Sequence, residues 1–459
     1  MPDFLNIKAI FAVLALLATT AVLVSGGEGS DPRTPAGLPG LPPPFLGTAV
    51  VGRGGETAAV DAYGNVVDLR PEGPAGEATI EVSAERQAAG SVAADTGLVA
   101  RTAVTGGSLP FWRADSVRQR YLPGTNVLRT EARFGDERAV VVRSLGGPAA
   151  ARADRRWIAQ AQPLEARAPD WARAMYERSL LVLRALTDRR TGAVAAGARD
   201  GWAYVWPRDA GAVAIALALA GYRHEARQVV HFLLGLDLDA AARFDGVGDP
   251  VPGRAAQGDA AGWVVAAARA AGLRPRVPAL HWRERADYHE GTRGNYLANA
   301  LATMASGAPF ASQGHKRRTG SAVSGLVRVA GDSESGWDSV AAWGVRPFAQ
   351  PSLTPQIRNT LLRVAATSGR FGILPSENWA GGEDPWTAPT AWTAWSLAAL
   401  GERRAALRLV AALRRAATPL GLLPERVDVR TGTPRSTTPL AWSHAFAILA
   451  LRELWPGRN

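Results

Sequence analysis

The stretch from Ala210 to Ala220 carries no charged side chain and is built almost entirely of Ala, Val, Ile and Leu. A helix that is apolar all round has to be covered on every side, which excludes a surface helix and calls for a layered arrangement. Neighbouring stretches read as helices as well, each opened by a cap or closed by Gly: Asp170 to Leu186, Asp209 to Ala220 before Gly221, and His224 to Leu236. Others are expected over 259–271, 294–306, 355–367, 390–400, 402–416 and 440–454, with Thr354-Pro355 as an N-cap and N1 pair. A layered bundle or a double ring of helices covers such segments, and chemistry would then sit in loops at one end of the ring.

Upstream of Trp157 the pattern is different. From Leu46 to Arg143 it is short and β-like. Thr57 to Tyr63, a Gly64-Asn65 turn and Val66 to Leu69 form one expected hairpin. Ser116 to Tyr121 alternates with period two, and Val127 to Phe134, Gly135-Asp136 and Ala139 to Val142 give a second hairpin. A β-sandwich over 45–155 followed by a helical domain over 156–459 is the resulting layout. Before it, residues 28–44 hold Pro32, Pro35, Pro39, Pro42, Pro43 and Pro44 among Gly and Ser, a linker composition. Residues 1–27 hold Lys8, an apolar run from Ala9 to Val24 and then Ser25-Gly26-Gly27, a signal peptide or a membrane anchor. The chain is therefore expected to be secreted or membrane-anchored, facing outside the cytoplasm, with membrane contact only through this segment.

The net charge of +11 does not point to nucleic acid, because Lys occurs only at Lys8 and Lys316 and the Arg residues are scattered. The one basic run, Lys316-Arg317-Arg318, is three residues long in a loop-like stretch. With no Cys, a disulfide framework, a thiolate metal site and a Cys nucleophile are all excluded. His281, His289 and His315 lack metal-site spacing, and no cofactor is expected. Fifteen Trp against seven Tyr is an excess that suits stacking on sugar rings, although most of these Trp must fill a helical core.

Two segments carry candidate chemistry. In Trp202 to Ala210, Arg208 and Asp209 adjoin where a loop becomes a helix; Asp209 can cap that helix and Arg208 offers a planar fork of donors. Such a pair matches vicinal sugar hydroxyls, and equally matches a cap with a local ion pair. In Gly421 to Asp428, Glu425 follows a Pro in a loop before the last helix, which Trp442 and His444 open. A loop carboxylate beside an aromatic and a hydroxyl can hold a water as general base.

Taken in order, Trp206-Pro207-Arg208-Asp209-Ala210, then Leu423-Pro424-Glu425, then Thr438-Pro439-Leu440-Ala441-Trp442-Ser443-His444 resembles glycoside hydrolase family 15, the glucoamylase-like enzymes of prokaryotic two-domain type. Leu46-Gly47-Thr48, Tyr63-Gly64-Asn65 and Tyr121 to Thr130 look like parts of the family's β-sandwich, and Asp384-Pro385-Trp386 with Thr390-Ala391-Trp392 is similar to another of its segments. The resemblance implies an (α/α)6 barrel, a six-hairpin toroid, after the sandwich. It implies an inverting hydrolysis that releases glucose from the non-reducing end of α-glucans or α-linked disaccharides. Inversion uses two carboxyls roughly 6.5–9.5 Å apart, one an acid and one a base that activates water.

By motif position Glu425 would be the base. Trp206, Arg208 and Asp209 match residues that grip the terminal glucose; Gln257 and Asp259 match a further wall of that pocket, and Trp386 and Trp442 are candidate sugar platforms. For the acid, the family's Asp-x-Trp-Glu has its nearest fit in Asp287-Tyr288-His289-Glu290, where His289 replaces Trp. An apolar Trp helps raise an acid's pKa, and His does so less. Glu290 is the candidate acid, Asp287 a substrate-binding candidate, and Glu284 beside Trp282 the competitor. Asp332, Glu334 and Asp338 read as structural, Asp338-Ser339 as a helix start; Glu377, Glu383 and Asp384 read as loop-surface charges, with lining of an outer subsite as the alternative for Glu383. A trehalase-type enzyme and a catalytically impaired carbohydrate-binding protein on the same scaffold are the competing readings. Linkage specificity and oligomeric state lie beyond these motifs.

Overall fold

The computed structural model describes residues 49–64, 66–70, 98–104, 114–145, 147–275, 297–306 and 336–457. The N-terminal part is antiparallel β-sheet. Strands β1 (Ala49–Arg53), β2 (Glu56–Val60) and β3 (Val66–Arg70) form one sheet in that order. Strands β4 (Leu98–Val104), β5 (Ser116–Tyr121), β6 (Leu128–Phe134) and β7 (Glu137–Leu145) form another, in the order β4-β7-β6-β5. Both expected hairpins are present, and the turn at Gly64 has φ 85°, which a glycine adopts without Cβ strain. Val51, Val60 and Leu69 of the first sheet share one buried apolar cluster with Leu128 and Leu145 of the second.

The Tyr121 hydroxyl donates to the Val50 carbonyl at 2.7 Å and accepts the Val50 amide at 2.9 Å, joining the sheets. Its ring lies under the Arg178 guanidinium at 3.8 Å, which joins them to the helices. Arg178 also donates to Asn126 Oδ1 at 3.0 Å and to the Thr125 carbonyl at 2.9 Å.

Helices begin earlier than expected. Helix α1 (Gly147–Ile158) occupies the end of the stretch assigned above to the β region. It buries Ala150, Asp154 and Trp157, spaced as one helical face. A buried Asp breaks the apolar pattern there, but Asp154 is paired with Arg184 at 2.9 Å and accepts the Asn126 amide at 2.9 Å. The following helices are α2 (Asp170–Leu186), α3 (Pro207–Leu219), α4 (Arg223–Leu234), α5 (Ala260–Ala270) and α6 (Leu297–Ser306). Then come α7 (Thr354–Ala366), α8 (Thr387–Ala399), α9 (Arg403–Ala416) and α10 (Ala441–Leu454). Thr354 is not the N-cap of α7: a 3-10 turn over Pro351–Leu353 runs into the helix, so Thr354 is already helical. Likewise Asp209 is not the cap of α3 but the third residue of its first turn, the N-cap being Trp206. Among the described residues no helix is long and apolar enough to cross a membrane.

Two kinds of helix occur. Helices α3, α5, α8 and α10 are buried along nearly their whole circumference. Helices α4 and α9 bury one stripe only, Ala226, Val229, Val230 and Leu233 in α4 and Ala405, Leu409, Ala412 and Ala416 among others in α9. Helix α3 packs on α4, α5 and α10, α8 on α9 and α10, and α5 on α6. The arrangement of covered helices behind amphipathic ones is consistent with the α/α barrel expected. Gly262 lets α5 approach α6, since a Cβ there would meet Ala302 Cβ at 2.5 Å.

Aromatic rings fill the space between the buried helices. Trp263 makes edge contacts with Trp343 (5.0 Å), Phe348 (5.0 Å) and Phe446 (5.8 Å), and Trp392 with Trp343 (5.4 Å) and Trp442 (5.3 Å). Edge-to-face packing suits the ring quadrupoles, and it accounts for much of the Trp excess without any sugar.

Candidate active site

The N-terminal ends of α3, α5, α8 and α10 converge, and the residues singled out from the sequence sit on those ends. Pro207 at N1 starts α3 with a preset φ, which puts Arg208 and Asp209 in its first turn. Arg208 is buried and holds the ends together. It donates to Gln257 Oε1 at 2.6 Å, approaches Asp259 Oδ2 at 3.4 Å and Asp209 Oδ2 at 3.3 Å, and lies 4.7 Å above the Trp442 ring. Asp259 is the N-cap residue of α5 and Trp442 lies in the first turn of α10. Trp442 is itself only 4% exposed, so its described role is to carry Arg208 on its face.

Glu425 belongs to the loop between α9 and α10. The Thr387 amide donates to the Glu425 carbonyl at 3.0 Å, and the Glu425 amide donates to the Thr437 carbonyl at 3.0 Å. The Thr387 hydroxyl donates to the Pro424 carbonyl and shares a 2.8 Å hydrogen bond with Ser443. Trp386, the N-cap residue of α8, is partly buried and packs edge-on against Trp379 at 5.4 Å. The Glu425 carboxylate accepts hydrogen bonds from the Ser436 hydroxyl and the Trp202 side chain.

The electrostatics of the group are those of a site whose carboxyls are kept from full solvation. Burial pushes the Glu425 pKa above the usual carboxylate value, opposed by Ser436, Arg426, Trp202 and Arg254. Burial also raises Asp259, opposed chiefly by Arg208. Asp209 is raised to about 6, first by burial, with Arg208 opposing and the charges of Asp259 and Glu425 adding. That last coupling places Glu425 within electrostatic reach of the Arg208 cluster. Arg208 Nε, Gln257 Nε2 and Trp442 Nε1 are buried and have no hydrogen-bond partner among the described residues. Buried donors left open cost about 1–3 kcal/mol each, a cost that ligand hydroxyls would remove.

The raised Asp209 has a measurable consequence. A carboxyl with a higher pKa folded than unfolded costs stability once ionised. That cost is absent below the unfolded value of 3.8 and complete above about 6. Asp209→Asn is therefore expected to raise stability at pH 7–8 by about 1–3 kcal/mol, with the gain vanishing below pH 4. Thermal unfolding of both proteins across that pH range checks it; a variant less stable at every pH would contradict the assignment.

Trp206, Arg208, Asp209, Gln257, Asp259, Trp386, Glu425 and Trp442 are thus all placed at the same end of the helices. Glu290, Glu284, Asp287, His281, His289, Lys316, Arg317, Arg318, Asp332 and Glu334 lie outside the described residues. Asp338 starts a 3-10 turn and accepts the Val340 amide at 2.7 Å, the structural part expected of it. Glu377 and Glu383 are exposed, while Asp384 accepts the Val429 amide at 3.2 Å. Trp202, Ser436 and Arg254 were not singled out from the sequence; Ser436 meets Glu425 from further along the same loop, Trp202 from the segment before α3, and the Arg254 charge acts on it from the segment before α5. Arg254 and Arg243 stand over the Trp206 ring, at 5.8 and 5.7 Å. Among the described residues no three His, Asp or Glu side chains come together as a metal site.

Known proteins give matching results. The model for "Glycosyl hydrolases family 15" matches residues 170–236, from α2 through α4 and just beyond. Two solved glycosidase structures, a wild type and a variant, align with TM-scores of 0.50 and 0.51, each at 20% identity and covering 62% of this chain and 97% of theirs. At that identity they bear on the fold alone. A bacterial glucoamylase complexed with acarbose aligns at a TM-score of 0.49 and 14% identity, over 78% of this chain and 72% of its own. No curated protein matches the sequence.

Proposed function

We propose, from the premise that this chain is a glucoamylase-like relative of the family-15 glycoside hydrolases, that it is an exported, inverting, exo-acting α-glucoside hydrolase. The observation that carries the reading is Glu425: a partly buried carboxyl of raised pKa, electrostatically coupled to the buried Arg208–Asp209–Asp259–Gln257 cluster with its open donors. Arg208 and Asp209 grip adjacent hydroxyls of the terminal glucose, and Gln257 closes the wall beside them. Glu425 takes a proton from water, whose oxygen attacks the anomeric carbon from the face opposite the leaving oxygen. A second carboxylic acid, Glu290 or Glu284, protonates the leaving oxygen as the glycosidic bond breaks. One water is consumed and the sugar is released with inverted configuration. The layout that goes with this reading is an export segment over 1–27, a linker over 28–44, a β-sandwich over 45–155 and the (α/α)6 barrel over 156–459.

The test is a panel of maltose, maltodextrin, isomaltose and trehalose, with released glucose followed by proton NMR in the first minutes. Early β-glucose from an α-glucan supports inversion, and cleavage of trehalose alone moves the enzyme to the trehalase type. Early α-glucose rejects the mechanism. Binding of these sugars without any cleavage favours the carbohydrate-binding reading, which rests on His289 in place of the Trp of the family's Asp-x-Trp-Glu and on the shortness of the helical domain. Export is checked separately, by locating the full chain in cell, membrane and medium fractions.

A further inference from the structure

His444 in the first turns of α10 is fully buried, as is Ser179 on α2. Its Nε2 accepts the Leu423 backbone amide at 2.9 Å, and its Nδ1 lies 2.9 Å from Ser179 Oγ. A backbone amide can only donate, so Nε2 carries no proton; the neutral ring then holds its proton on Nδ1 and donates it to Ser179. Burial, with the Arg178 charge, holds the ring pKa down at about 3, in keeping with that tautomer.

Leu423 stands two residues before Glu425. Its carbonyl accepts the Leu440 amide at 2.9 Å, and the next two carbonyls, of Pro424 and Glu425, are taken by the Thr387 hydroxyl and amide. The buried Leu423 amide is satisfied by a side chain, that of His444. The segment that presents Glu425 is therefore fastened at its N-terminal side to α10, and through Ser179 to α2.

We propose that His444 is a positioning residue for the base, fixing where the Glu425 carboxylate stands by accepting the Leu423 amide; the inference rests on reading Glu425 as that base. A histidine that merely fills a core would be replaced equally well by any side chain of similar size. An amide-acceptor role is selective. In His444→Gln the side-chain oxygen can stand near the former Nε2, whereas in His444→Asn it falls near the former Nδ1 and leaves Leu423 without an acceptor. His444→Phe keeps the volume and offers no acceptor at all.

The experiment compares these three variants with the wild type in kcat, KM and amide hydrogen exchange of the peptide spanning 422–426. His444→Gln is expected within about fivefold of wild-type kcat. Asn and Phe are expected to lose about 10–100-fold in kcat with KM changed less than about threefold, as a small misplacement of a reacting group would. Exchange at 422–426 is expected to speed up in Asn and Phe by about tenfold or more and to stay slow in Gln. Equal behaviour of Gln and Asn, or wild-type exchange in Phe, overturns the proposal. If the wild type cleaves no substrate, the reading of Glu425 fails on its own, and exchange still decides whether His444 holds the segment. Should Asn and Phe fail to fold, Ser179→Ala frees the ring without touching Leu423. About a 3–10-fold loss of kcat with faster exchange is then expected, and an unchanged Ser179→Ala overturns the proposal.

Discussion

Glu425→Gln is expected to lower kcat by about 10²–10⁴-fold, the range for removing a positioned general base, while leaving the fold intact. The amide keeps the shape of the carboxyl and can still meet the Ser436 hydroxyl and the Trp202 side chain, so thermal stability is expected not to fall, with a gain only where the buried carboxyl would be ionised. It cannot take a proton from water. The pH profile gives the sharper form of the test. With Glu425 as the proposed base, hydrolysis requires it ionised, so kcat/KM is expected to rise with pH through the folded pKa of this group. Burial places that limb above the ordinary Glu value of 4.5. The Ser436 hydroxyl stabilises the ionised form, and Ser436→Ala is therefore expected to move the limb to still higher pH with a smaller loss of rate. Steady-state kinetics from pH 3 to 8 on the wild type and both variants read all of this. A Glu425→Gln variant with wild-type kcat removes the assigned base. A limb that stays put in Ser436→Ala removes the link between that hydroxyl and the titrating group.

The reach of the sequence can be judged on particular elements. Ala210 to Ala220 demanded cover on all sides, and α3 has it from α4, α5 and α10. The hairpin turning at Gly64 and the one turning at Gly135 were legible because period-two alternation and turn glycines are local signals. Helix α1 was not legible as a helix, because its inward face carries Asp154, whose charge is tolerated only through Arg184, a residue of another helix. Thr354 looked like a cap, but capping depends on the preceding backbone, which here is a 3-10 turn.

The same division runs through the site. Arg208, Asp209 and Glu425 were readable from short motifs, whereas Trp202 and Arg254 act on Glu425 from separate loops, Ser436 from eleven residues on in its own loop, and none of the three carries a pattern of its own. His444 stood in a recognised motif, yet its partner Ser179 is on α2, at the other end of the helical sequence. The Trp count pointed towards sugar, and edge contacts show that Trp263, Trp343 and Trp392 are spent on the core.

Arg208→Ala is expected to have the largest combined effect, because the proposed reading gives Arg208 a grip on substrate beside its part in the fold. It is the positive partner of two buried carboxylates, Asp209 and Asp259, and it covers Trp442. Removing one partner of a buried pair costs about 3–5 kcal/mol, a fall of about 10 °C in Tm for a domain of this size. The loss should depend on pH in a predictable direction. Arg208 lowers the pKa of both carboxyls, so without it both rise further. As pH rises above about 6 they must be ionised without their partner or bind a proton against the solution, and the deficit grows until the variant's own, still higher, pKa values are passed. Below pH 4 both are protonated and part of the deficit disappears, leaving the cavity and the lost stacking on Trp442. The difference in Tm between wild type and variant is thus expected to be widest at pH 7–8 and to narrow at pH 4. Arg208→Lys separates the two duties. An ammonium restores a positive charge and most of the stability, but it lacks the fork that meets Gln257 and the carboxylates together. Its kcat/KM is expected to stay at least about 10²-fold below wild type. A pH-independent Tm deficit in Arg208→Ala would mean that the two carboxyls are not what Arg208 balances. Full activity in Arg208→Lys would mean that a point charge suffices and that the planar grip on sugar hydroxyls is not used.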